Sequence, residues 1–110
     1  MTFSTDVQTE FLPGVYTSRV AVVNALRNIV YRGGKTATAD ALRFVRNNVF
    51  GGSGSTDGVR NVAIFITDGE SNDRIATHME ARLTKTAGIH VISLGIGTLH
   101  LRFYIYNTMV

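Results

Sequence analysis

Two short segments carry the residue types that metal and ligand chemistry needs. The first is Thr67-Asp68-Gly69-Glu70-Ser71, which directly follows an unbroken apolar run, Val62-Ala63-Ile64-Phe65-Ile66. A carboxylate released from a buried strand by a glycine can meet a hard cation, a phosphate-bound metal or a substrate hydroxyl. It can equally cap the helix or turn that follows. The second segment is Gly33-Gly34-Lys35-Thr36-Ala37-Thr38, a glycine pair with two hydroxyls ahead of a helical pattern. Such hydroxyls bind an anion, coordinate a hard cation or cap the helix. The segment lacks the order glycine, four residues, glycine, lysine, hydroxyl, so it is not a phosphate loop.

The elements that must position these segments follow from periodicity and punctuation. Met1 to Leu12 alternates loosely and stops at Pro13-Gly14, which predicts an extended segment or hairpin. From Thr17 or Ser18, Val22, Val23, Leu26, Ile29 and Val30 recur at helical spacing until Gly33-Gly34, predicting an amphipathic helix with one buried stripe. A second helix opens near Thr36 or Thr38 and is expected to bury Ala41, Leu42, Val45 and Val49 before the loop Gly51-Gly52-Ser53-Gly54-Ser55. The run from Val62 to Ile66 reads as a parallel strand covered on both faces. A third helix spans about Asp73 to Ala87, with Ile75, Met79 and Leu83 at spacing four, and Gly88 ends it. Ile89 to Ile96 repeats the buried-strand signature and ends in Gly95-Ile96-Gly97. This order predicts an α/β fold, a doubly wound, Rossmann-like, mostly parallel sheet flanked by helices.

Taken together, these segments resemble the von Willebrand factor type A domain, also called the integrin inserted domain. The resemblance rests on Thr2 to Val7, the helix from Thr17 to Tyr31, Gly33 to Leu42, Val62 to Ser71 and Ala87 to Gly97, in the family's order and spacing. It implies a metal-ion-dependent adhesion site, in which three loops hold Mg²⁺ or another divalent cation and an open coordination position takes a partner's carboxylate. Carried over by position, the second loop's threonine is Thr36 and the third loop's aspartate is Asp68. The first loop, Asp-x-Ser-x-Ser, has no counterpart; Ser4-Thr5-Asp6 has another order and falls in a strand that comes after that loop in the family. The family's first strand and last helix are likewise unmatched, so the expectation is an incomplete domain over residues 1–97 and a non-matching tail over 98–110, with apolar faces left exposed and a tendency to aggregate. The implied role is a non-catalytic adhesion or matrix-interaction module, extracellular in its parent, with a protein ligand such as collagen or another matrix protein. A metal-independent assembly surface and a small α/β hydrolase or phosphotransferase using Asp68 are the alternatives.

Composition limits the field further. The 110 residues are 45% hydrophobic and 17% charged, enough apolar material for one core and too little charge for a disordered tail. Eleven Lys and Arg against eight Asp and Glu leave a net charge of +3, with arginines scattered among acids, which reads as ion pairs and solvated faces and not as a nucleic-acid footprint. The absence of cysteine excludes disulfides and thiolate chemistry. His78, His90 and His100 are too scattered for a transition-metal cluster. The first twenty residues do not read as a signal peptide, and no run approaches the roughly 18 apolar residues that a membrane span needs.

Overall fold

A computed structural model of the protein describes residues 1–51, 58–68 and 70–96. The chain opens with a hairpin, β1 (Thr2–Phe3) and β2 (Val7–Gln8), paired antiparallel with Thr2 opposite Gln8 and Phe3 opposite Val7. Ser4-Thr5-Asp6, expected within a strand, forms the turn instead, closed by the Ser4 N–H donating to the Asp6 carbonyl at 2.9 Å. Ser, Thr and Asp suit a turn because their side chains compete for nearby backbone groups.

Helix α1 (Arg19–Arg27) begins where Ser18 accepts the Ala21 N–H at 3.1 Å. The sequence pattern carries this helix toward Tyr31 with one stripe buried, and both expectations need correction. The helix ends at Arg27, with Asn28 capping it, and none of its residues is buried. Val20, Leu26 and, beyond the helix, Val30 are exposed. The physical reason is that Leu26, Ile29 and Val30 border an open cleft.

Helix α2 (Thr38–Phe44) runs directly into a wider π-helical turn, Val45–Val49. Ala41, Leu42 and Val45 are buried as expected, Val49 packs against them partly covered, and Ala37 and Ala39 are buried too. Strands β3 (Asn61–Thr67) and β4 (Ile89–Gly95) lie parallel, in register from Asn61 opposite Ile89 to Thr67 opposite Gly95. Helix α3 (Arg74–Thr86) connects them, as a parallel pair requires.

The core joins Ala41, Leu42 and Val45 to Ala63 and Phe65 of β3 and Ile89 of β4. Phe3 of the hairpin meets Phe65 edge to face, with ring centroids 6.0 Å apart. This burial is one-sided. Ala63 and Phe65 point into the core, whereas Val62, Ile64 and Ile66 are exposed, so the expectation of a strand covered on both faces is corrected. Alternate side chains of a strand face opposite sides, and among the described residues helices α2 and α3 cover only one of them.

Helix α3 turns a polar row inward. Ile75, Met79 and Leu83, at spacing four, are 76%, 59% and 50% exposed, while Glu80 and Thr84 turn inward and are 8% and 0% exposed. Two arginines explain the rotation. Arg46 lies 2.7 Å from one Glu80 carboxylate oxygen, and Arg43 lies 2.9 Å from the other. The Thr84 hydroxyl donates to the Glu80 carbonyl at 2.7 Å. A buried carboxylate needs such partners, and they hold this face of α3 against α2. Further ion pairs, Arg32 with Asp6 at 3.1 Å and Arg43 with Asp40 at 3.1 Å, agree with reading the arginines as paired surface charges. No described helix is long and apolar enough to cross a membrane.

Candidate metal and ligand site

The loop ahead of α2 is fixed to the hairpin turn by three features. The Ala37 N–H donates to the Ser4 carbonyl at 2.8 Å, and the Lys35 N–H donates to Thr5 Oγ1 at 3.2 Å. Gly34 adopts φ +128°, and a Cβ placed on it would stand 2.6 Å from Thr5 Oγ1. Only glycine combines that backbone with that approach. Ser4 itself is buried beneath the loop.

The local sequence leaves helix capping open for Thr36, Thr38 and Asp68, and the two helices take other residues as caps. The residue at the start of α2 is Ala37, with no side-chain capping bond. The cap of α3 is Asp73, whose carboxylate accepts the Ala76 N–H at 2.9 Å. Neither Thr36 nor Asp68 is therefore used as a helix cap. Ser71 also serves the start of α3, accepting the Asp73 N–H at 3.2 Å and sharing a hydroxyl hydrogen bond with Thr77. Glu70 pairs loosely with Arg74 at 3.5 Å, both exposed.

Asp68 leaves β3 at its carboxyl end, where the Ile96 N–H donates to the Thr67 carbonyl at 2.8 Å and extends the pairing with β4 by one step. The two candidate loops meet directly, because the Asn72 N–H donates to the Thr36 carbonyl at 2.9 Å. Thr36 and Asp68 thus border one open cleft of about 550 Å³, whose walls include Ser4, Arg32, Lys35 and Ile66. Its donor set is a hydroxyl and a carboxylate, both oxygen, which suits a hard cation that keeps water or other oxygens in its remaining positions. Among the described residues, no group of three His, Cys, Asp or Glu side chains could hold a metal. Lys35 adds positive charge to the same walls and favours an acidic partner group, whereas Arg32 there is paired with Asp6.

The sequence reading singled out Thr36 and Asp68 and missed Ser4 and Thr5 as the support of the Thr36 loop. Their signal was the Ser-Thr-Asp turn chemistry. His78 and His90 are both exposed, outside the cleft walls. Gly69, Gly97, His100 and the tail from residue 98 lie outside the described residues.

A model of the von Willebrand factor type A domain matches residues 1–106. The chain belongs to that family. Cochlin of Bos taurus is 36% identical over 94 residues, which make up 86% of this chain and 16% of cochlin. The collagen alpha-1(XII) chain of Notophthalmus viridescens is 33% identical over 95 residues, 86% of this chain and 10% of the collagen chain. The chain therefore spans 16% or less of the length of these relatives. Among solved structures, proximal thread matrix protein 1 of the mussel byssus, in a form with a zinc-occupied MIDAS motif, matches with a TM-score of 0.78 and 32% identity over 87% of this chain and 25% of that one. The predicted α/β architecture is thus the family's own, and a divalent cation occupies the adhesion site of one such type A relative.

Proposed function

We propose that the chain is part of a non-catalytic, extracellular protein-interaction module, in which Thr36 and Asp68 help to hold a divalent cation that receives an acidic group from a matrix protein. The observation that carries this reading is the shared cleft. Two oxygen-bearing side chains from distant parts of the sequence open onto it, their loops joined by the Asn72–Thr36 backbone bond. The cation would act as a Lewis acid toward the partner's carboxylate. The chain's own residues do the remainder. Ser4 and Thr5 fix the loop of Thr36, β3 aims Asp68, and Lys35 attracts the acidic group.

Neither side chain is taken up as a cap, which favours this reading over a purely structural one for the same residues. Mg²⁺, and a collagen or other matrix protein as the ligand, are the specific choices that follow from the relatives. Isothermal titration with Mg²⁺ and with Zn²⁺ is the test. Binding that Asp68→Ala weakens at least about tenfold, a loss near 1.4 kcal/mol, is the expected result. Equal binding by Asp68→Ala and the wild-type chain would refute the site.

A further inference from the structure

The outer face of α3 has no part in the cleft, yet it is organised in rows. Residues four apart on a helix stack along one line, so α3 presents parallel rows one residue apart in sequence. Ala76, Glu80 and Thr84 form the row turned toward the protein, with Glu80 and Thr84 buried. Ile75, Met79 and Leu83 form the next row and are mostly exposed, a continuous apolar ridge of about 12 Å at 1.5 Å per residue. Arg74, His78 and Arg82 form the row beyond it, all exposed. The one acid within α3 is Glu80, held inward by Arg43 and Arg46. The exposed part of the helix is therefore an apolar ridge with a basic border, in which Arg74 pairs loosely with Glu70 ahead of the helix and Arg82 is the exposed arginine beside Met79 and Leu83.

This ridge is not an accident of loose packing. Asp73 caps the helix start, and the Glu80–Arg43–Arg46 pairing fixes its rotation about its own axis. Turning the ridge inward would drag a carboxylate out of its ion pairs. The helix is a rigid platform, and three large apolar side chains at spacing four are the pattern by which one amphipathic helix engages another.

The geometry points to an acidic amphipathic helix of a partner protein as the occupant of this ridge, bound independently of any cation. Charge selects it. A second copy of this chain would bring an equally basic row, and an antiparallel pair would set the two basic rows side by side. An anionic membrane would satisfy the basic row, but the ridge carries no aromatic side chain of the kind that anchors at a lipid interface. A helix with its own apolar row and a glutamate or aspartate row beside it fills the ridge and neutralises the border.

The inference does not depend on the cation site, so it is tested with the full chain in excess EDTA. The probe is a fluorescein-labelled synthetic helix with three leucines spaced four apart and glutamates along one side, followed by fluorescence anisotropy. Binding should weaken about tenfold in Met79→Glu, a change of about 1.4 kcal/mol. It should weaken likewise in Arg82→Glu, which should gain affinity for the same peptide with lysines in place of glutamates. Ile64→Thr, on the other exposed apolar face, should bind as the wild type does, which separates a specific ridge from general stickiness. All three positions are exposed, and amide exchange at Thr84 verifies that each variant keeps α3 packed. Equal loss in Ile64→Thr and Met79→Glu, equal affinity for the lysine and glutamate peptides, no peptide binding at all, or binding only to phosphatidylserine vesicles would each overturn the proposal.

Discussion

Replacing Gly34 by alanine perturbs the candidate site without touching a candidate ligand. Two costs are separable in advance. The backbone at φ +128° is one that side-chain-bearing residues rarely adopt, and such strain costs about 1–3 kcal/mol. The new Cβ would also stand 2.6 Å from Thr5 Oγ1, closer than real Cβ contacts come. Relieving the clash means moving the Thr5 hydroxyl and losing its bond from the Lys35 N–H, worth about 1 kcal/mol. The sum, roughly 2–4 kcal/mol, is a large part of the 5–15 kcal/mol that a typical domain has. The assay is urea unfolding of the wild type, Gly34→Ala, Thr5→Ala and the double variant, compared by midpoint at constant slope. Thr5→Ala removes the clashing hydroxyl, so the double variant should be more stable than the two single losses added together, by about 1 kcal/mol. Strict additivity, or a Gly34→Ala loss under about 0.5 kcal/mol, would show that the turn does not clamp the loop in this way.

Two further outcomes follow from the packing. Burial pushes the Glu80 carboxyl up, but the hydrogen bonds and charges of Arg46 and Arg43 outweigh that and hold it below the usual carboxylate value. A depressed carboxyl stabilises the fold above the unfolded pKa of about 4.3 and loses that contribution as pH falls through the folded value. Glu80→Gln should therefore cost about 1–3 kcal/mol at pH 7, Arg43 being half exposed, and the gap between variant and wild type should close in melts below about pH 4. Phe65→Ala should cost about 3–5 kcal/mol in urea unfolding, whereas Ile64→Thr next to it should change stability by less than about 0.5 kcal/mol. Similar losses at the two positions would show that the outer face of β3 is covered.

The order of elements was legible because glycines, caps and apolar runs punctuate this chain clearly. Ser18, Gly33-Gly34, Gly51 and Gly88 mark helix boundaries or turns near the places where the structure has them. Burial was less legible, for two different reasons. In β3 the five apolar residues said only that the strand could be covered on both faces, and coverage depends on helices elsewhere in the fold. In α3 the apolar row at spacing four marks the helix but lies on its outer side. Sequence periodicity cannot weigh a buried ion pair against an apolar stripe. Arg43 and Arg46 lie far from Glu80 in sequence, and their pairing sets the helix's rotation.

The site was half legible for a related reason. Thr36 and Asp68 follow a glycine pair and a strand end, which are local signals. What holds them together is not local. The Thr36 carbonyl accepts the Thr38 N–H at 3.0 Å from its own loop and the Asn72 N–H at 2.9 Å from the loop after β3. One acceptor serving donors from both segments couples them, so a shift in the Asp68 loop that breaks the Asn72 bond also removes a support of Thr36. The hairpin turn holds the same loop from the other side, through Ser4 and Thr5. Thr36 is therefore positioned by residues from three separate stretches, of which the hairpin turn was not recognisable as part of a site from sequence. The consequence is physical. Substitutions at Thr5 or Gly34, and Asn72→Pro, which removes the N–H that the Thr36 carbonyl accepts, should disturb the cleft through Thr36, and Asn72→Pro should reach Asp68 as well.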